Sequence, residues 1–148
     1  MNTLTTPSMD AIEQAKQELL AIHAHDRKAH FATDATALAT HQADSFIHVG
    51  NGAVQHISRE AMRHDFERYF KNATYYAWDD LEPPIVQVSQ DASLGWMITR
   101  TRVRRTQLDE TGALQEREFI YAGIMIYEKH AEQWVRTANV STFENIKP

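Results

Sequence analysis

The sequence predicts an α+β fold on three observations. Apolar residues recur at three- and four-residue spacing through Ile12, Ala15, Leu19, Ile22 and Ala29, and again through Met62, Phe66, Tyr69 and Phe70, the period of amphipathic helices. From Ser45 the period switches to two, as in strands. Beyond Pro83-Pro84, strand-like runs follow one another with only short polar turns between them. That pattern implies an antiparallel meander whose apolar face the helices must cover.

The chain has 148 residues, 43% of them apolar and 24% charged, which suits one globular domain. We place that domain at residues 10–144, after a flexible N-terminal stretch, 1–9. With 15 Lys and Arg against 20 Asp and Glu the net charge is −5, and a nucleic-acid footprint is not supported. The absence of cysteine removes disulfides, thiol nucleophiles and cysteine zinc sites. Nowhere do about 18 apolar residues run together, so no membrane span is expected and a cytoplasmic location is the default.

Taken in order, the first helix is expected from Asp10 to about Phe31, capped by Ser8 or Asp10, with Asp26 on its apolar stripe. Asp34 is placed to cap a short second helix, Ala35 to Gln42. A strand from Ser45 sets Phe46, His48 and Gly50 on one side and Ile47 and Val49 on the other, and Asn51-Gly52 turns it into a return strand, Ala53 to Ile57. Ser58 caps a third helix carrying Met62, Phe66, Tyr69, Phe70 and Ala73. Four strands complete the chain: Ile85 to Ser89, Leu94 to Thr106, Glu116 to Glu128, and Trp134 to Phe143 with both end residues in the core. Arg100, Arg102 and Arg104 alternate opposite Glu116 and Glu118 as a solvent-facing charge ladder.

Residues able to carry chemistry gather in the first helix and first strand. Separations of three and four residues put Asp26 between His23 and His30 on one side of a helix. A carboxylate beside an imidazole fixes its tautomer and favours its protonated form, tuning an acid or base near neutral pH. His48 faces inward if Phe46 does, and Asn139 is a polar residue of the last strand expected to point the same way. Tyr75, Tyr76 and Trp78 are placed to rim a pocket mouth and stack on a flat ligand. His23, Asp26, His30 and His48 also offer enough nitrogen and oxygen for a metal. No His-Glu-x-x-His motif, Gly-x-Ser-x-Gly elbow or Gly-rich phosphate loop occurs.

Several stretches carry a family resemblance: His30-Phe-Ala-Thr-Asp34, Asp44-Ser-Phe-Ile-His-Val-Gly-Asn-Gly52, Ser58-Arg-Glu-Ala-Met62 through Tyr69-Phe70, Ser89 to Trp96, and Gln133-Trp134 to Ser141. With the order of elements, they resemble the nuclear transport factor 2-like superfamily, which includes SnoaL-like polyketide cyclases. The resemblance implies a cone-shaped α+β barrel of the cystatin-like kind, with three N-terminal helices on a strongly curved antiparallel sheet, a pocket between the first helix and the concave face, and dimerisation through the outer face. Ketosteroid isomerases of this group place a hydroxyl donor eight residues before the aspartate ending the first helix, which here falls on Asp26. They place a carboxylate base where this chain reads Val49-Gly50-Asn51, and a second acid near Ala122 or Gly123. Neither acid is present.

The expected protein is therefore a homodimer that binds a small hydrophobic organic molecule without a cofactor. His30 or His48 would serve as acid or base and Asp26 would orient the imidazole, for an isomerisation, cyclisation or dehydration. His23, Phe46, Tyr75, Tyr76, Trp78 and Asn139 would contact the ligand. The alternatives are a non-catalytic ligand-binding or association module and, third, a metal-binding protein with His and Asp ligands.

Overall fold

A computed structural model describes residues 9–147. The expected N-terminal stretch up to residue 8, with its cap at Ser8, lies outside the described residues. Helix α1 spans Met9–Phe31, α2 Ala35–Ala39 and α3 Arg59–Phe70; the strands are β1 Gln42–Gly50, β2 Ala53–Ser58, β3 Ala73–Asp80, β4 Ile85–Val88, β5 Leu94–Leu108, β6 Leu114–His130 and β7 Gln133–Lys147. Among the described residues these strands form a single sheet in the order β2-β1-β7-β6-β5-β3, with β4 paired alongside β5.

Local chemistry sets the boundaries. Helix α1 stops where Thr33 turns left-handed (φ 49°) and the Asp34 amide donates to the Ala29 carbonyl, a helix-ending bond across five residues. Asp34 then accepts from the Ala37 amide to start α2, and Ser58 does the same for Ala61 and α3. Asn51 and Gly52 are both left-handed (φ 51° and 77°), so they make the tight turn between β1 and β2 that the Asn-Gly pair predicts.

Three expectations about the elements need correction. The second helix ends at Ala39 and its expected last residue, Gln42, opens β1 instead. Residues 73–80, whose aromatics looked like a helix-end rim, are a strand paired antiparallel to β5. The sheet is also mixed, because β1 runs parallel to β7: hydrophobic alternation reports a strand but not the direction of its neighbour.

Alternation assigns the faces. On β5, Gly95, Met97, Thr99, Thr101, Val103 and Arg105 are buried, while Ile98, Arg100 and Arg104 are exposed. The helices cover the concave face in two apolar clusters. One holds Ala29, Leu38, Phe46, Met62, Phe70, Tyr75, Val103 and Phe119; the other holds Ala15, Leu19, Ile22, Met97, Tyr127 and Trp134. The arginines of the outer face pair with glutamates as a cross-strand ladder, Arg102 with Glu118 at 2.8 Å and Arg104 with Glu116 at 3.0 Å. Phe143, expected in the core, is exposed and lies across Tyr121 and Phe119.

Candidate functional site

The inward stripe of α1 carries one charge into the interior, Asp26, which the structure matches with Arg136 of β7. Asp26 Oδ2 accepts from Arg136 Nη2. The same guanidinium donates from Nε (3.2 Å) and Nη2 (3.0 Å) to the Tyr127 hydroxyl, and from Nη1 to Gln42 Oε1 at 3.2 Å. Burial alone would lower the Arg136 pKa, yet the Asp26 carboxylate and Tyr127 more than offset this and raise it. Burial raises the Tyr127 phenol in turn. The second Asp26 oxygen, Oδ1, is buried without a hydrogen-bond partner.

The Asp26–His30 dyad expected from helical spacing does not form. His30 Nδ1 donates to the backbone carbonyl of Asp26 (2.7 Å), not to its carboxylate. Its ring stacks on Trp78 with centroids 3.7 Å apart, and Phe70 and Tyr75 stand edge-on at 5.5 and 5.6 Å. Burial in this aromatic box lowers the His30 pKa to about 4, opposite in sign to the tuning expected of a carboxylate neighbour. His23 points elsewhere, to Asp80 of β3 at 3.0 Å, where Thr101 also donates. The two histidines therefore meet different residues of β3 and share no carboxylate. Among the described residues no three His, Cys, Asp or Glu side chains converge on a point that could hold a metal.

The aromatic residues also differ from a pocket rim. Phe46 and Tyr75 are buried in the core, Trp78 is the stacking partner of His30, and Tyr76 is exposed beneath Arg104, 5.4 Å from its guanidinium. Two cavities, of about 440 and 560 Å³, open beside the α1–α2 turn and beside the start of β1. Neither is lined by Asp26, His30 or His48.

His48 and Asn139 do come together. They are register partners across the parallel β1–β7 pair, and His48 Nδ1 donates to Asn139 Oδ1 at 2.8 Å. A carboxamide oxygen only accepts, so this bond fixes the proton on Nδ1 and leaves the lone pair on Nε2. Gly50 makes room for that nitrogen, since a Cβ there would lie 3.0 Å from it. The pair is half-buried, on the concave side with Phe46 and Ser141. It can accept a proton from a bound molecule.

Sequence reasoning missed Arg136, Tyr127 and Gln42. A signal existed: Trp134 was read as core, and Arg136 shares its strand parity two residues on. An arginine at a core position demands an acid, and Asp26 is the inward acid of α1.

No family model matches the sequence, and no curated protein does. Solved structures match along nearly the whole chain. A putative calcium/calmodulin-dependent protein kinase II association domain from Xanthomonas campestris superposes with a TM-score of 0.58 at 18% identity, covering 95% of each chain. A ketosteroid isomerase-like protein from Erwinia carotovora atroseptica gives 0.62 at 17%, over 87% of this chain and 94% of that one. An NTF2-like protein from Cytophaga hutchinsonii gives 0.63 at 10%, over 85% and 95%. Helices on the concave side of a curled mixed sheet, together with these superpositions, give this chain the cone-shaped nuclear transport factor 2-like fold.

Proposed function

We propose that this protein is a self-associating module, a homodimer joined through the outer face of its sheet. One observation carries the reading. Two apolar rows cross that face from strand to strand: Val49, Val140, Ile124, Ile98 and Ile85 in one, and Ile47, Ala138, Ile126 and Trp96 in the other. Ile47, Ile85, Ile98 and Val140 are exposed, and a contiguous apolar patch on a folded surface marks an interface. The flanking Arg–Glu ladder carries both signs on one surface, so two copies related by a two-fold axis can meet self-complementarily. The association domains among the structural neighbours lend support by analogy. Sedimentation or light scattering should give twice the 17.0 kDa chain mass, and Ile98→Lys with Val140→Glu should return it to monomer with an unchanged circular dichroism spectrum. A wild type that stays monomeric at micromolar concentration would refute the reading.

A second reading rests on His48. With its proton fixed on Nδ1 by Asn139, its free Nε2 suits proton transfer on a small hydrophobic molecule held on the concave face, the chemistry of the SnoaL-like group that the sequence resembles. His30 is neutral in its box and Asp26 is committed to Arg136, so of the three expected catalytic residues His48 retains an acid–base role. His48→Gln should abolish turnover of a flat polyketide-like substrate, and Asn139→Ala, which frees the ring from its hydrogen bond, should slow it. Turnover by His48→Gln equal to wild type would remove the proposal.

A further inference from the structure

Three neighbouring strands set small residues side by side on the concave face. Gly123 of β6 pairs with Ser141 of β7, and a Cβ on Gly50 of β1 would lie 3.5 Å from the Ser141 carbonyl. The row Gly50, Ser141 and Gly123 therefore carries almost no side-chain bulk. Onto each glycine folds the side chain two residues before it. A Cβ on Gly50 would lie 3.0 Å from His48 Nε2, and one on Gly123 would lie 2.4 Å from the Tyr121 hydroxyl. A larger residue at either position would push that group away.

The two side chains are complementary and neither is sealed. His48 and Tyr121 are both only partly buried. Nε2 holds a lone pair because Nδ1 donates to Asn139. The Tyr121 phenol keeps its proton as a donor, since burial raises its pKa and outweighs the Ser141 hydroxyl beside it. The exposed Phe143 ring packs against Tyr121 at 5.5 Å and holds it in place. Gly50 and Gly123 are two strand spacings apart, ~10 Å. An acceptor and a donor thus face the interior of the cone with that separation, and Met125, opposite Asn139, adds an apolar edge. A planar molecule of two fused rings, hydrogen-bonded at each end, spans the distance.

We propose that the concave face binds a planar two-ring molecule with an acidic hydroxyl at one end and a carbonyl at the other. His48 accepts from the hydroxyl, Tyr121 donates to the carbonyl, and Ser141 positions the phenol. This assignment, which rests on reading His48 as a proton acceptor, adds the residue that recognises the far end of its substrate.

Umbelliferone is the probe, a coumarin with a hydroxyl opposite its carbonyl; coumarin itself lacks the hydroxyl and β-naphthol lacks the carbonyl. In calorimetric titrations wild type should bind umbelliferone about tenfold more tightly than either counterpart. Tyr121→Phe should erase the preference over β-naphthol and keep that over coumarin, and His48→Gln should do the reverse. Ser141→Ala should reduce the preference over β-naphthol alone, an effect that a general loss of packing would not produce. Arg104→Gln, on the outer face, should leave all three affinities unchanged. A preference over coumarin that survives in His48→Gln overturns the reading of His48 and this assignment with it. A preference over β-naphthol that is absent from wild type, or survives in Tyr121→Phe, overturns the assignment while His48 stands, and so does a wild type that binds none of the three.

Discussion

Asp26 and Arg136 are a buried pair whose value lies in mutual neutralisation. Removing two ions from water is costly, and their attraction repays it only while both are present. Asp26→Asn should therefore destabilise the fold by about 3–5 kcal/mol, because it strands the Arg136 charge in the interior. Asp26→Leu combined with Arg136→Met should cost less than either change alone, a comparison that denaturant melts can make. His30 makes a complementary prediction in pH. Its folded pKa of about 4 lies below the ordinary value of 6.5, so between those values the unfolded chain binds a proton that the native state refuses. Its contribution is complete above pH 6.5 and falls away as the pH drops toward 4, by a few kcal/mol. Melts of His30→Phe should lose that part of the slope between pH 6.5 and 4 relative to wild type. Helical spacing correctly told which α1 side chains turn inward, but not what each would meet. The partners, Arg136, Asp80 and Trp78, come from strands that only tertiary folding brings near.

At the level of elements, two glycines mark where strands and helix approach most closely. A Cβ on Gly95 would sit 2.7 Å from Leu19 Cδ1 and 3.3 Å from the Gln87 carbonyl, so α1 rests directly on β5 there. On Gly123 it would sit 2.5 Å from the Val140 carbonyl and 2.4 Å from the Tyr121 hydroxyl. Backbone cannot yield as a flexible side chain can, so Gly123→Ala should destabilise more than Gly95→Ala, the latter by about 1–3 kcal/mol. Thermal or denaturant melts of the two variants check the order. The elements themselves were largely readable from the chain: the capped helices, the Asn51-Gly52 hairpin and the long strands each have a local physical signature. Strand β3 was not, because Tyr75, Tyr76 and Trp78 follow a helix without an intervening alternation long enough to declare a new period.

For the molecule as a whole, charge and shape separate its surfaces. The outer face mixes apolar rows with the Arg102–Glu118 and Arg104–Glu116 pairs, each partly exposed, so those pairs add little to the stability of one chain and more to the register of two. Reversing one partner, Arg104→Glu, should weaken dimers with little effect on the melt of the monomer, and restoring complementarity with Glu116→Arg should recover them. That solvent-facing ladder was evident from alternating residue types. The topology was not, since no local pattern reveals that the first strand lies beside the last. Strand β7 occupies an inner place in the sheet, between β1 and β6. During synthesis, then, the early hairpin waits with one flank bare until β7 has emerged, and Arg136 reaches Asp26 only after that. Truncation just before residue 133 should yield a chain prone to aggregation, which light scattering of the truncated chain checks.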